Sequence, residues 1–277
     1  ADVTVARTAW DEFYIVTGTG FATHDFDWIS RNLTGNCQLV DVTAGSAVLS
    51  LMGPEAREIL SRVSGDDLSN AAFPFGTARR ISVASCPVLA LRVTYVGELG
   101  WELHMPTDVA VTVYEALMAA GAGLGLRNAG YRAIETLRLE KGYRAWGADI
   151  GPDHTPVEAG LAWACKMKSG VDFIGRDALI RRKENPRDKF VGLDIDSNVD
   201  VGHGDCIHVG RAQIGVVTSS MRSPLLGKNI ALARVDVAHA EVGTEVEVGK
   251  LDGQQKRLPA RIVSLSHYDP KKTRPQS

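Results

Sequence analysis

The sequence predicts an α+β fold in residues 1–183 and a small all-β barrel or sandwich in residues 190–271. Two observations predict this organisation. Before about Lys183, strand-like runs and amphipathic helices are mixed without a strict β-α repeat, which favours α+β over a doubly wound sheet. After the polar, proline-containing link at 184–187, only short strand-like runs occur, and Gly and Pro punctuate them at short intervals.

The first element is a predicted β-hairpin. Apolar residues alternate with polar or small ones in 2–7, a second β-rich run follows at 12–17, and Trp10-Asp11 forms the turn. The sequence starts inside the first strand, with Ala1 rather than Met. We therefore expect the natural protein to continue upstream and to cover apolar positions such as Val3, Val5 and Phe13.

The remaining elements follow from apolar periodicity and from helix end signals. Pro54 occupies the first-turn position that suits proline, and Gly121 and Gly142 follow the last periodic residues of two helices. The predicted helices are 22–33, 55–63, 107–120 and 128–141, and the predicted strands before the link are 39–42, 47–51, 80–84, 88–95 and 102–105. The strands predicted after the link are 190–195, 207–209, 214–219, 230–235, 245–248 and 258–263.

The bulk composition disfavours several function classes. Lys+Arg (31) nearly balance Asp+Glu (33), which indicates no general attraction to nucleic acid or anionic membranes. No apolar stretch approaches the roughly 20 residues of a membrane span. The four cysteines are far apart and form no CxxC pair, which favours reduced thiols in a bacterial cytoplasm or a mitochondrial matrix. The histidines are scattered and HExxH is absent, so we expect no metal site.

The segment YVGELGWEL at 95–103 carries the first candidate site. Gly97 and Gly100 permit a tight turn with positive φ, which would aim Glu98 into a cleft. A carboxylate held in this way can accept two N–H bonds from a flat heterocycle. For this segment alone, the alternative is a hairpin turn with a solvated acid.

A second segment combines RLEKGYRAWGADI at 138–150 with DHTPVEAGLAW at 153–163. A predicted helix ends at Gly142, and the loop after it is dense in Tyr, Arg, Trp and Asp. Long loops of this kind often carry binding sites. The alternative is that Arg138 and Glu140 form only a surface or structural charge pair.

These three motifs, in this order, resemble the glycine-cleavage T-protein (aminomethyltransferase) family. The segment KGYRAWG most resembles the folate module at the C-terminal end of dimethylglycine dehydrogenase, sarcosine dehydrogenase and dimethylglycine oxidase. The resemblance extends through LSLMGP at 49–54, IGVVTS at 214–219 and IALA at 230–233. The KGCYxGQE motif of folate-dependent iron–sulfur assembly proteins is not matched at 141–144. The resemblance implies ferredoxin-like α+β subdomains that bind folate and a C-terminal Greek-key β-barrel.

The resemblance also implies a set of site residues. Asp2 matches the family's catalytic aspartate, and Glu98 matches the glutamate that binds the pterin ring. The other implied folate-binding residues are Thr4, Tyr14, Val16, Tyr95 and Trp163. The alternatives are that Tyr14 and Trp163 are plain core aromatics and that Asp2 is a frayed terminal residue.

Two positions depart from the pattern of simple T-proteins. Ile134 stands where they carry an arginine that contacts the folate tail, and Arg132 and Arg138 are the candidates to replace it. Gly18 stands where they carry an asparagine near the aspartate. The family's segment before the catalytic strand and the FAD domain of the dehydrogenases are absent from this sequence.

The implied function is tetrahydrofolate-dependent methylene transfer from a small amine or iminium donor, which gives 5,10-methylenetetrahydrofolate. Tetrahydrofolate is the implied cofactor, and FAD is implied only in an upstream oxidoreductase domain of the same polypeptide. No nucleic-acid or membrane partner is expected. The alternatives are a folate-dependent O- or S-demethylase and a non-catalytic regulatory homologue. The retention of Asp2 and Glu98 favours activity, whereas Ile134 favours the regulatory alternative.

Overall fold

The computed structural model describes residues 1–254 and 256–277. The chain forms two compact units, one made of Ala1–Tyr131 together with Lys271–Ser277 and the other of Arg132–Pro270. The last seven residues therefore belong to the same unit as the N-terminal hairpin. The domain limits 1–183 and 190–271 stay a prediction. Within the described residues, no helix is long and apolar enough to cross a membrane.

The first unit begins with an antiparallel hairpin of strands β1 (Thr4–Arg7) and β2 (Phe13–Val16). Helix α1 (Ala22–Asn32) follows it after one turn of 3-10 helix. Side chains alternate between the two faces of a hairpin. Val5 and Phe13 share its outer face, where they are 55% and 58% exposed.

A four-stranded antiparallel sheet forms the centre of the first unit. Its elements in chain order are strand β3 (Ser46–Met52), helix α2 (Ala56–Ser61), strands β4 (Ala78–Val83), β5 (Cys86–Leu91) and β6 (Gly100–Pro106), and helix α3 (Ala110–Gly121). The strand order across the sheet is β3-β6-β5-β4. Buried apolar side chains from the sheet, from both helices and from the α2–β4 connection form one core around Trp101, Phe73 and Leu60.

The second unit combines two helices with a closed barrel. The helices are α4 (Tyr131–Glu140), which lies almost wholly in this unit, and α5 (Arg176–Glu184). The barrel strands are β7 (Asp188–Ile195), β8 (Cys206–Val209), β9 (Ala212–Arg222), β10 (Asn229–Asp236), β11 (Glu245–Gly249) and β12 (Arg257–Val263). All pairs are antiparallel, in the order β10-β7-β12-β11-β8-β9. Because β11 returns beside β8, the strands β8 to β11 form a Greek key.

The structure confirms the predicted α+β fold with a trailing barrel, including all six barrel strands. The strand predicted at 39–42 is wrong. Its side chains Val40 and Val42 are 67% and 51% exposed, and no ladder forms there among the described residues because neither sheet of the unit extends to them. Helix α5 has no predicted counterpart because its sequence RDALIRRKE is too polar to show an apolar stripe.

Candidate functional site

The N-terminal hairpin presents several of the predicted site residues on one face. The register pairs Thr4 with Val16 and Ala6 with Tyr14. Residues that lie directly opposite each other, and residues two apart on one strand, point to the same side of a sheet. Thr4, Tyr14 and Val16 therefore share a face with Ala6, which is 8% exposed. Asp2 lies two residues before Thr4, outside the strand.

This inner face is fastened to the central sheet through Tyr14. The Tyr14 hydroxyl lies 3.2 Å from Nδ1 of His104 on β6, and the two rings meet edge to face with centroids 5.3 Å apart. His104 is 4% exposed, and its Nε2 lies 3.5 Å from a carboxylate oxygen of Glu102. The hairpin face that carries Thr4 and Val16 thus faces β6. Sequence reasoning missed His104, although it stands on a predicted strand six residues after Glu98.

The turn that carries Glu98 is built by its neighbours. The Thr94 hydroxyl oxygen accepts hydrogen bonds from the amides of Val96 at 3.2 Å and Gly97 at 3.0 Å. Gly97 has φ +76°, in the left-handed region where a side chain would be strained. The positive φ predicted for Gly97 is confirmed, and it reverses the chain immediately before Glu98.

Gly100 serves the turn in a different way. Its φ is not in the left-handed region, so that part of the prediction is wrong for this glycine. Instead, a Cβ at Gly100 would lie 2.3 Å from the carbonyl oxygen of Leu51. β6 begins at Gly100 against the end of β3, where the Gly53 amide donates to the Leu99 carbonyl at 2.8 Å. The missing side chain therefore allows the close strand approach that fixes the exit of the turn.

The Glu98 carboxylate is partly sheltered and paired. Its side chain is 18% exposed, and Nη1 of Arg274 lies 3.2 Å from Oε2 and 3.3 Å from Oε1. Arg274 belongs to the C-terminal segment of the same unit. Tyr95, at the start of the turn, is 38% exposed. A carboxylate in this position can accept paired N–H donors from a flat ring, which is the property predicted for it.

Helix α1 contributes a buried acid that the sequence analysis did not single out. Asp25 is 4% exposed, accepts a hydrogen bond from the Thr17 hydroxyl and lies 2.9 Å from Nδ1 of His24. Burial acts to raise the pKa of Asp25, but the hydrogen bonds from Thr17 and His24 outweigh it and hold the pKa below its usual range. Because Thr17 follows β2 directly, this acid fastens α1 to the end of the hairpin.

The second motif builds the interior of the second unit. Arg138 is fully buried and donates from Nη1 to Asp149 at 2.5 Å and from Nη2 to the Ser219 hydroxyl at 2.9 Å. Asp149, also fully buried, accepts from the Thr218 hydroxyl at 2.5 Å. Arg138 is therefore paired with Asp149 rather than with Glu140. Both terminal nitrogens of its guanidinium donate within this network, whereas Arg132 is exposed, and which of the two replaces the folate-tail arginine stays a prediction.

The next residues of that motif hold the end of α4. Glu140 accepts from the Ser223 hydroxyl at 2.5 Å, and the Lys141 ammonium lies 2.5 Å from the Asp269 carboxylate. Gly142 has φ +73°, and a Cβ there would lie 2.3 Å from the Leu265 carbonyl oxygen. These residues close the helix against the chain that leaves the barrel.

The loop that leads to Trp163 is anchored by another buried acid. The Glu158 side chain is fully buried and accepts hydrogen bonds from the Arg187 guanidinium at 3.0 and 3.1 Å and from the Thr155 hydroxyl at 2.9 Å. Burial acts to raise its pKa, but these donors outweigh it and lower the pKa of Glu158 to about 2. Trp163 lies on the 3-10 turn Ala162–Ala164 with 76% of its side chain exposed.

The predicted site residues are thus divided between the units. The first unit contains those of the hairpin and of the Glu98 turn, namely Asp2, Thr4, Tyr14, Val16, Tyr95 and Glu98. Trp163 lies in the second unit, and its role stays a prediction. A metal site is not formed by any group of three or more His, Cys, Asp or Glu side chains in the part of the chain that the structure describes.

Two family domains and several known proteins match the chain. Residues 1–169 match the GCVT N-terminal domain, and residues 189–269 match the glycine cleavage T-protein C-terminal barrel domain. The whole chain is 48% identical to the trimethylamine-oxide aldolase of Ruegeria pomeroyi, and 74% of it is aligned at 43% identity with the mitochondrial sarcosine dehydrogenase of Mus musculus. It spans only 36% and 24% of the lengths of these two relatives. The crystal structure of the glycine cleavage system aminomethyltransferase T from Bartonella henselae matches 96% of the chain at 27% identity with a TM-score of 0.83, over 71% of its own length.

Proposed function

The chain belongs to the glycine cleavage T-protein family of tetrahydrofolate-dependent aminomethyltransferases, and on that premise we propose that its first unit binds a reduced folate for methylene transfer from an amine donor. One observation carries the proposal. Thr4, Tyr14 and Val16 share one face of the hairpin, and the Tyr14–His104 contact turns that face toward β6. The same strand begins two residues after Glu98. The hairpin residues and Glu98, which are far apart in the sequence, are thereby linked through the same strand.

Each residue has a chemical task in this proposal. Tetrahydrofolate supplies the secondary amine that accepts the one-carbon unit. Asp2 accepts a proton from that amine and balances the positive charge of an iminium donor. Glu98 orients the pterin by accepting two N–H bonds, since a sheltered carboxylate needs hydrogen-bond donors. Tyr14, Val16 and Tyr95 provide flat or apolar surface for the ring, with Trp163 kept as a further folate-binding prediction.

We extend the proposal to the longer protein. The chain is proposed to be the C-terminal module of a dimethylglycine or sarcosine dehydrogenase-like protein whose FAD domain lies upstream. The likeness to sarcosine dehydrogenase, of which the chain covers 24%, supports it. A second candidate is a module of a trimethylamine-oxide aldolase-like protein, favoured by 48% identity over the whole chain. Incubating the natural protein separately with sarcosine, dimethylglycine and trimethylamine N-oxide, and measuring methylenetetrahydrofolate, discriminates the two.

The pterin assignment is tested by Glu98→Gln. The substitution keeps the size of the side chain but replaces one acceptor oxygen by a donor, so reduced-folate affinity should fall by about 1.5–3 kcal/mol. Titration calorimetry with 5-formyltetrahydrofolate, an oxidation-resistant reduced folate, gives the affinity. Glu115→Gln, at an exposed position on α3, is the matched control and should bind as the parent does. Equal affinity for Glu98→Gln and the parent would show that Glu98 does not hold the pterin.

The catalytic assignment is tested by Asp2→Asn in the natural protein. Folate affinity should stay nearly intact, while methylene transfer should fall roughly a hundredfold, as the loss of an acid–base group does. Asp11→Asn, in the exposed hairpin turn, is the control. Unchanged transfer by Asp2→Asn would remove Asp2 from the mechanism.

A further inference from the structure

The C-terminal segment Lys271–Ser277 lies against the Glu98 turn, and we propose that it is a strap whose Arg274 holds the carboxylate of Glu98 until a reduced folate displaces it. The inference rests on the proposed role of Glu98 in binding the pterin. It adds a residue, Arg274, that sets folate affinity by competition.

The geometry of the ion pair supports competition. A single nitrogen, Nη1 of Arg274, lies almost equally far from both oxygens of Glu98, at 3.2 and 3.3 Å. A donor in hydrogen-bonding position to both oxygens must lie near the open end of the carboxylate, between them. A heterocycle with two adjacent N–H donors binds a carboxylate at that same end. Arg274 and a pterin therefore require one position.

The segment itself is firmly held. The backbone oxygen of Ser277 accepts hydrogen bonds from Arg57 at 2.8 Å and from Arg92 at 2.9 Å, and the carbonyl of Gln276 accepts one from Asn70 at 3.1 Å. Arg92 is 1% exposed, so this anchor extends into the core of the unit. Pro275, directly after Arg274, is buried.

The contact between Arg274 and Glu98 is open to water. The Arg274 side chain is 46% exposed, against 18% for Glu98. An ion pair that water reaches is weak and exchanges easily. The strap thus combines an anchor that reaches the buried Arg92 with a side chain, Arg274, that can leave Glu98 while the segment stays in place. The backbone anchor keeps the guanidinium near the carboxylate. Because Arg274 and Glu98 belong to the same chain, their competition with folate does not depend on the protein concentration.

The test compares reduced-folate binding by the parent, Arg274→Met and Glu98→Gln in the full chain, with 5-formyltetrahydrofolate as the probe. Arg274→Met removes the competing donor, and the affinity for the probe should rise about two- to fivefold. This is the factor by which a weak, water-accessible ion pair reduces the fraction of protein whose Glu98 is free to bind. Lys271→Met, an exposed position on the same segment, is the matched control and should leave affinity unchanged. Melting temperatures show that each variant is folded, and Arg274→Gln serves if the methionine variant is not.

The double variant Glu98→Gln/Arg274→Met separates competition from a structural effect. If Arg274 acts only through Glu98, its substitution should have little further effect once the carboxylate is gone. Unchanged or weaker binding by Arg274→Met, with Glu98→Gln still weakened, overturns the strap and leaves the folate assignment standing. Parent-like binding by Glu98→Gln overturns both.

Discussion

Replacing Glu158 by Gln should destabilise the second unit at neutral pH. The Glu158 side chain is fully buried, and Arg187 and Thr155 donate hydrogen bonds to its oxygens. Its pKa is lowered from 4.5 to about 2. A pKa difference of one unit between the folded and unfolded states corresponds to about 1.4 kcal/mol. The ionised form of Glu158 therefore contributes ~3 kcal/mol to the free energy of unfolding.

The pH dependence has a definite sign. A carboxyl group whose pKa is lowered by folding stabilises the protein above its unfolded pKa, and this contribution is lost as the pH falls through the folded value. The Glu158 contribution should therefore be complete above about pH 4.5 and disappear between pH 4.5 and 2. Glu158→Gln cannot titrate, so the parent and the variant should converge in free energy of unfolding over that interval.

Urea unfolding followed by circular dichroism at several pH values between 7 and 2.5 measures this difference. Glu184→Gln, at an exposed position on α5, is the control and should follow the parent throughout. If Glu158→Gln unfolds within about 0.5 kcal/mol of the parent at pH 7, the usual scatter of surface substitutions, the attribution of stability to this carboxylate is wrong.

Two further predictions concern the first unit. Tyr14→Phe removes the 3.2 Å contact with His104 and should lower the free energy of unfolding by about 1 kcal/mol; an unchanged melting temperature would show that this contact does not hold the hairpin. Gly100→Ala places a Cβ 2.3 Å from the Leu51 carbonyl and should destabilise by about 1–3 kcal/mol while weakening folate binding. Gly65→Ala, which meets no atom within 4 Å, should do neither, and equal behaviour of the two alanine variants would refute the steric argument.

The sequence predicted the fold best where local pattern and tertiary environment agree. In the barrel, alternating side chains such as Leu193 and Ile195 face an interior that the barrel encloses by itself, so the pattern and the burial coincide. The run at 39–42 is also rich in apolar residues, but no strand in the described part of the chain pairs with it. Strand pairing is a property of the fold, and a single segment does not reveal it.

The Glu98 turn was predicted from the backbone conformation that its glycines permit, whereas hairpin residues such as Tyr14 were predicted from the family resemblance. Gly97 signalled the Glu98 turn because few residues tolerate its φ of +76°. His104 and Asp25 were missed because their importance comes from burial and from partners distant in the sequence or on another element, Tyr14 for one and Thr17 for the other. Arg274 was missed for the same reason, since its partner lies 176 residues away.

The two longest motifs that the chain shares with the family differ in their surroundings. YVGELGWEL forms a turn whose acid, Glu98, stays within reach of water. In RLEKGYRAWGADI, by contrast, Arg138 and Asp149 are wholly buried and paired with each other, and on β9 Arg138 donates to Ser219 while Asp149 accepts from Thr218. Removing one partner of such a pair leaves an uncompensated buried charge, which is costly whatever the ligand. Arg138 and Asp149 are therefore explained by their partners within the protein, whereas Glu98 is proposed to meet a ligand, and its present partner, Arg274, is half exposed.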